Sequence, residues 1–281
     1  MTTQPPVPRV AVIIPCYEDG ELAAGAVASV REREPVELVV VDDGSRDAPT
    51  LAALERLEAQ GVRVIRHDDN RGLAQARTTG LHATSAPFVF PLDADDEAVA
   101  GVLAAMATRL ENEPWADVCF GDYFEFGQLE LVRAVPSELD PYRLAFTNEY
   151  PVSAMFRRSV LEAVDGWRPI DAYEDWHLWM TLAERGTRAI HLGPGHITYR
   201  RRLHGSRMLT AARRVHPQLY ARLRREHAQL FDDLPAHRRR STLSLQRKLL
   251  YPVVYGGRTR FAWEGRVKTL LDRAGVWTMR R

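Results

Sequence analysis

From Arg9 onward the hydrophobic and polar positions fall into short alternating blocks. R-V-A-V-I-I-P, Arg9 to Pro15, is a continuous apolar run closed by proline, the pattern of a strand buried on both faces. A loop at Cys16–Gly20 leads to a predicted helix over Glu21–Glu32. Val36–Val41 repeats the buried-strand pattern and ends in Asp42-Asp43-Gly44-Ser45. A helix over Pro49–Gln60, a strand over Val62–Arg66, a helix over Gly72–Ala83 and a strand from Phe88 follow. Strands alternating with helices across short loops predict a mainly parallel sheet flanked by helices, an α/β fold.

Further along, Val118–Glu125 and Val152–Phe156 read as strands, and Arg158–Val164 reads as a short helix before a Gly166-Trp167 turn. Residues 126–150 carry the weakest pattern. In Tyr173–Gly186 the apolar positions Leu178, Trp179, Leu182 and Ala183 recur at helical spacing, which places Glu174 and Asp175 in a first turn where the dipole favours acids. Ile197–His204 reads as a strand, and Ala211–Phe231 as a basic helix ended by Asp232-Asp233-Leu234-Pro235.

Composition changes this picture little: 45% hydrophobic and 27% charged over 281 residues is ordinary for a globular chain. Two cysteines, Cys16 and Cys119, and no N-x-S/T site point to a reducing compartment. The opening M-T-T-Q-P-P-V-P-R lacks a basic region followed by an apolar one, so residues 1–8 are expected to be a polar tail and not a signal peptide. No apolar run approaches the ~18 residues of a membrane span.

Charge is divided unevenly. Residues 1–199 hold 17 Lys+Arg against 32 Asp+Glu, and residues 200–281 hold 21 against 5. The basic part suits phosphates, nucleic acid or an anionic membrane face. No nucleic-acid motif accompanies it, so no specific nucleic-acid partner is expected.

The chemistry concentrates where F-V-F-P-L-D-A-D-D-E delivers Asp93, Asp95 and Asp96 just past a strand. Open α/β sheets bind ligands beyond such strand ends. Three like charges within four residues raise one another's pKa unless a cation offsets them, and oxygen ligands of this kind suit Mg²⁺ or Mn²⁺ together with substrate phosphates. An acidic turn is the bland alternative. Neither G-x-G-x-x-G nor G-x-x-x-x-G-K-[ST] occurs, so the usual glycine cradles for dinucleotides and triphosphates are absent. Asp43 and Tyr17 stand instead at the ends of the second and first strands. A carboxylate can accept the N3–H of uracil or thymine, or the N1–H and amino group of guanine, while a phenol stacks on the base.

The series V-I-I-P-C-Y-E, V-V-V-D-D-G-S, N-R-G-L-A-Q-A-R-T-T-G, P-L-D-A-D-D and Y-E-D-W-H-L-W, in that order, resembles the inverting glycosyltransferases of family 2, with the GT-A fold of nucleotide-diphospho-sugar transferases. The resemblance covers residues 9–206 and leaves 207–281 as a basic, mainly helical C-terminal extension. It implies transfer of a sugar from a nucleotide-diphospho-sugar donor, UDP-sugar first, to a hydroxyl of a glycan, glycolipid, lipid-linked or small-molecule acceptor, with Mn²⁺ or Mg²⁺.

Carried over residue by residue, the resemblance implies that Pro15 and Tyr17 line the base, Asp43 reads its edge, and Arg77 lies near the nucleotide and pyrophosphate. Asp95 is the expected direct metal ligand, Asp93 the ribose or metal-water contact, and Asp96 a carboxylate able to exchange roles with Asp95. Asp175 is the expected general base ahead of Glu174, with Trp176 on the acceptor side. His204 and one of Arg200, Arg201 and Arg202, with Arg200 chosen, are expected at the diphosphate. The tail, with Trp263, Trp277, Phe261, Tyr251 and Tyr255 among its arginines, suits a membrane interface or packing on the catalytic domain or a second copy. The expected location is cytoplasmic, with peripheral contact at the inner membrane face.

Rival classes are a non-catalytic nucleotide-sugar-binding pseudoenzyme or scaffold subunit, and a nucleotidyltransferase. Retention of mutually repelling acids opposes the first. The acidic loop Cys16-Tyr17-Glu18-Asp19, where a basic glycine-rich loop would be needed, opposes the second.

Overall fold

The computed structural model describes residues 7–170, 173–203, 207–255 and 270, with side chains from residue 216 onward in the helix that begins at Arg207. In chain order the first elements are β1 (Val10–Cys16), α1 (Gly20–Ser29), β2 (Glu37–Asp42), α2 (Ala48–Ala59), β3 (Arg63–Arg66), α3 (Leu73–Ala83), β4 (Phe88–Pro91) and β5 (Glu97–Ala98). Then come α4 (Val102–Asn112), β6 (Val118–Phe120), β7 (Asp122–Gly127), β8 (Leu131–Arg133), α5 (Pro141–Leu144), β9 (Met155–Arg157) and α6 (Arg158–Glu162). The chain continues through α7 (Glu174–Glu184), β10 (Ala189–His191), β11 (Ile197–Leu203), α8 (Arg207–Glu226), α9 (Ala228–Asp232), α10 (Leu234–Arg240) and α11 (Leu245–Tyr255).

Two sheets form. The larger has seven strands in the order β10-β6-β9-β4-β1-β2-β3, and the smaller four in the order β5-β11-β7-β8. β1 lies between β2 and β4 and is parallel to both, so the C-terminal ends of all three open at one edge, on either side of a topological switch point. Every residue of β1 is buried. Val12 and Ile14 face α1, α2 and α4 through a core that includes Ala23, Leu54, Phe90 and Met106. Ile13 faces α3, where a Cβ at Gly80 would come within 2.3 Å of Ile13 Cγ2. Burial of each such aliphatic side chain contributes about 1.5–3 kcal/mol, which fixes the register that aligns the strand ends.

The expected single strand over Val118–Glu125 is two. The chain leaves the large sheet after β6 and enters the small one at β7. Gly121 makes the crossing, since a Cβ there would meet His196 O at 2.7 Å and Thr198 Cγ2 at 2.6 Å. β9 runs antiparallel to β4 and β6, so the sheet is mixed although mostly parallel.

The chain divides into two compact units: Met1–Ser137, Pro151–Pro169 and Arg188–His204 in one, and Glu138–Tyr150, Ile170–Thr187 and Gly205–Arg281 in the other. The expected boundary at residue 206 lies close to one crossing between them; the others fall near residues 137, 150, 169 and 187. Both sheets belong to the first unit. In the second, α5 and α7 pack with the C-terminal helices, which is why two upstream segments join it. Trp176 Nε1 donates to Leu144 O (2.8 Å), Tyr220 Oη to Ala145 O (2.6 Å) and Tyr142 Oη to Lys248 O (2.6 Å). The helix expected over Ala211–Phe231 breaks at His227, whose Nδ1 lies 2.8 Å from Glu184 Oε2 while Leu230 N–H donates to Glu184 Oε1 at 3.2 Å. That tertiary contact turns the chain into α9.

Candidate active site

In the first unit the site is built on the aligned ends of β1, β2 and β4. Cys16 O accepts the Asp43 N–H (2.8 Å), and Ile13 O accepts the Leu92 N–H (2.9 Å), so the sheet ladder continues to the last residue before each loop. Ser45 then joins two loops: its Oγ accepts the Glu18 N–H (2.9 Å) and its N–H donates to Asp42 Oδ1 (3.1 Å). Gly44, at φ +79°, lies so close to the next loop that a Cβ would meet Asp69 C at 2.6 Å. Only glycine permits both the left-handed backbone and that approach.

This approach determines the surroundings of Asp43. Its carboxylate is buried and accepts the Arg71 N–H at Oδ1 (2.9 Å) and the Gly72 N–H at Oδ2 (2.7 Å). His67 Nδ1 lies 2.7 Å from Oδ1, and His67 Nε2 lies 2.9 Å from Thr79 Oγ1. Sequence reasoning missed His67 and Thr79. The signal was the parallel pairing of Asp42 with Arg66, which carries the next residues, Asp43 and His67, out of the sheet side by side. Nearby, Pro15 is buried in β1 and Tyr17 is 44% exposed, so the ring expected to stack on a base is open to solvent.

Asp93 begins the acidic turn after β4. Arg77, fully buried on α3, donates from Nη2 to Asp93 Oδ1 at 2.5 Å. Asp96 N–H closes the turn on Asp93 O (3.0 Å), and Asp96 Oδ1 accepts the backbone N–H of Arg202 on β11 (2.9 Å). Arg202 Nε donates to Asp95 O at 3.2 Å. Asp93 and Asp95 are half-buried, whereas Asp96 is buried.

Burial first, then the charges of Asp93 and Asp95, push the Asp96 carboxyl well above the ordinary carboxylate range; the Arg202 N–H and the Arg201 charge act the other way. Among the described residues these three aspartates form a cluster that could hold a metal ion, with one oxygen from each within 4.8 Å of the others. An all-oxygen donor set in which burial and the charges of Asp93 and Asp95 disfavour the anion of Asp96 fits a hard divalent cation.

Strand alternation separates the three arginines of β11. Arg200 and Arg202 share one face: both pair with Glu97 (2.7 and 3.0 Å), and both guanidinium groups lie 4.5 Å from the Phe126 ring centroid. Arg201 lies on the other face, opposite Glu125 in register, near the stacked rings of Tyr123 and Tyr199, whose centroids are 5.1 Å apart. The charge of Arg201 acts on Asp96. Arg201 through its charge and Arg202 through its bond to Asp95 O thus both adjoin the acidic turn, whereas Arg200, the arginine chosen from the sequence, pairs with Glu97 and lies over the Phe126 ring. His204 lies outside the described residues, as do Phe261, Trp263 and Trp277.

In the second unit, α7 opens with Glu174 and Asp175 in its first turn. Asp175 Oδ2 accepts from Asn148 Nδ2 (2.9 Å), and Oδ1 accepts the Trp176 N–H (2.7 Å). Asp175 is half-buried, Glu174 buried. Asn148, from the weakly patterned stretch, is a second residue the sequence did not single out. Trp176, expected on the acceptor side, is instead core. It is buried, its indole N–H is bonded to Leu144 O, and its ring packs against Tyr173 and Tyr220 with centroids 5.3 and 5.7 Å away. Trp179 is likewise buried.

The succinoglycan biosynthesis protein ExoU of Rhizobium meliloti (strain 1021) is 35% identical over 102 residues, 36% of this chain and 30% of that protein. The N-acetylglucosaminyltransferase of Rhizobium sp. (strain N33) is 26% identical over 210 residues, 64% of this chain and 46% of its own length. The chain thus spans less than half the length of these curated relatives.

Among solved structures, S. aureus TarS in complex with UDP-GlcNAc has a TM-score of 0.64 at 18% identity, covering 96% of this chain and 78% of that one. The mannosyltransferase PcManGT from Pyrobaculum calidifontis, in complex with GDP-Man and Mn²⁺, has a TM-score of 0.58 at 18% identity, covering 96% and 81%. These likenesses show the GT-A fold expected from the sequence. The family described as glycosyl transferase family 2 matches residues 11–165, more than half of the chain. The chain belongs to glycosyl transferase family 2.

Proposed function

We propose that this chain is a metal-dependent, inverting glycosyltransferase that moves a sugar from a nucleotide-diphospho-sugar, with UDP-sugar the first choice, to a hydroxyl of a glycan, glycolipid or small-molecule acceptor. The observation that carries the reading is the cluster of Asp93, Asp95 and Asp96 at the end of β4, with one oxygen from each within 4.8 Å. Asp43 and Tyr17 serve the base, and Arg77 holds Asp93 in place. Arg201 meets the diphosphate. Asp93, Asp95 and Asp96 would hold Mn²⁺ or Mg²⁺, which when bound neutralises charge building up on the leaving diphosphate.

Asp175 is the general base of this reading. An acceptor hydroxyl is a weak nucleophile until a carboxylate within hydrogen-bond reach takes its proton during attack on the anomeric carbon. The bond from acceptor oxygen to anomeric carbon forms as the bond to the diphosphate breaks, the proton passes to Asp175, and an α-linked donor gives a β-linked product. Asn148 is suited to orienting that carboxylate through its bond to Oδ2. Peripheral contact with an anionic membrane face through the basic C-terminal residues belongs to the same reading.

Calorimetric titration of UDP, dTDP and GDP, each with and without Mn²⁺, against the wild type and Asp95→Ala tests the donor site. Metal-dependent binding of one nucleotide, lost in the variant, is the expected result. Absence of binding by all of them under every metal condition would overturn the reading and leave a non-catalytic subunit as its successor.

A further inference from the structure

α11 carries its polar residues, Gln246, Arg247 and Lys248, in one run near its start and is apolar from Leu249 to Tyr255. Its inner positions Tyr251 and Val254 are buried with Tyr142 and Leu243 in a small core of the second unit. Its outer positions are apolar too: Leu245, Leu249 and Val253 are 73%, 56% and 48% exposed. These recur four residues apart and form a single stripe along the helix. Gln246 and Pro252 flank the stripe and are also exposed, so the outer face bears no charged side chain. A helix ordinarily buries its apolar positions and turns polar ones to solvent. This one presents its second face to solvent, and isolated apolar residues do not account for an ordered stripe.

The charge around the stripe points to its partner. Residues 234–255 contain Arg238, Arg239, Arg240, Arg247 and Lys248 and no acidic residue. Arg239 and Arg240 are exposed at the end of α10, and Lys248 Nζ reaches back to Arg239 O at 3.4 Å, which ties the basic group to the side of α11. An apolar stripe bordered by cations is the signature of a surface that lies in the headgroup region of an anionic bilayer, its stripe immersed and its cations at the phosphates. A symmetric contact between two copies through this face would bring two basic surfaces together. Covering by residues 256–281, which hold seven Lys+Arg and two Asp+Glu, would also add like charge. Among the described residues no helix is long and apolar enough to cross a membrane.

We propose that the exposed face of α11, with the basic end of α10 beside it, docks this chain on an anionic lipid surface. The proposal extends the membrane-contact part of the functional reading to named residues. Its test involves no nucleotide, so either can fail without the other.

The full chain is floated with vesicles of phosphatidylcholine alone and of phosphatidylcholine with about one-third phosphatidylglycerol. Binding to the anionic vesicles, weakened by salt, is expected, together with an about tenfold loss of affinity in the double variant Leu245→Ser, Leu249→Ser. A second readout does not depend on that variant folding. Both native cysteines are buried, so Leu249→Cys can be labelled with an environment-sensitive fluorophore, whose emission should shift to the blue on anionic vesicles.

Three results would overturn the proposal. The wild type could ignore anionic vesicles. The label could stay in water while the chain binds, which would assign the contact to charge alone. Sedimentation velocity could reveal a dimer that the double serine variant dissolves, which would assign the stripe to a second copy.

Discussion

His67 Nδ1 lies 2.7 Å from Asp43 Oδ1, with both side chains buried. The carboxylate accepts, so the imidazole donates whether it is the neutral Nδ1–H tautomer or the cation. A carboxylate offers about four acceptor positions. His67 and the N–H of Arg71 take both on Oδ1, and the N–H of Gly72 takes one on Oδ2. With Asp43 as the base-reading group, one position is left. A single imide N–H of uracil or thymine fits it, whereas the paired donors of guanine need one position on each oxygen.

UDP and dTDP are therefore expected to bind at least about tenfold more tightly than GDP, and His67→Ala should narrow that ratio by freeing Oδ1. Competition binding against one labelled nucleotide measures both. Equal affinity for UDP and GDP in the wild type would remove the basis of this selectivity. Equal affinity that Asp43→Asn leaves untouched would show that Asp43 does not read the base.

Replacing Asp175 by Asn keeps the shape of the side chain and removes its basicity. The expected outcome is a fall in kcat of about 10²–10⁴-fold with the nucleotide dissociation constant unchanged. Steady-state rates and nucleotide titration on the same preparation separate these effects. Parallel loss of both would indicate a folding defect and not a missing base. Asn148→Ala should give a smaller loss of the same kind, since it removes the partner of Asp175 Oδ2 and leaves the carboxylate itself.

The acidic turn predicts opposite effects with and without metal. Burial and two neighbouring charges disfavour ionised Asp96, so in a chelator at neutral pH Asp96→Asn should unfold at a higher temperature than the wild type. Saturating Mn²⁺ should reverse the order, because a ligand bound to the native state stabilises it. Thermal denaturation of both proteins in chelator and in Mn²⁺ is the measurement. A variant less stable than the wild type in both conditions would mean that the attraction of the Asp96 anion to the Arg202 N–H and the Arg201 charge outweighs the repulsion.

His216 gives the second unit a pH dependence. Its pKa is lowered by burial from an ordinary value of 6.5, and its Nδ1 is bonded to the Tyr173 hydroxyl. With the folded-state pKa below the unfolded one, the unfolded chain binds more protons in the interval between them. Stability is then fully present above about pH 6.5 and falls as pH drops through the folded-state value. His216→Gln should flatten that fall in urea titrations across the acid range. An unchanged slope would assign the acid sensitivity to other groups.

The sequence by itself determined the αβ alternation of the first hundred residues, because strands buried on both faces are written as continuous apolar runs and their punctuation by Pro, Gly and Asp is local. It also determined that Asp43 and Asp93 sit at strand ends, and that Asp95 and Asp96 follow within the same turn. These are properties of neighbouring residues.

Tertiary structure decided whatever depended on which distant surfaces meet. Gly121 moves the chain from one sheet to another because β11 passes close by. Trp176 becomes core because Tyr220 and Leu144 come from elements remote in sequence. Strand pairing sets the face of each arginine in R-R-R, and the run of letters does not, so Arg200 pairs with Glu97 while Arg201 lies opposite Glu125. His67 looked like any histidine after a strand until the parallel register of β2 and β3 brought it against Asp43. Short-range patterning fixes elements and what stands at their ends; the partner of a side chain is fixed by packing, a sum over long-range contacts that no single stretch of the chain contains.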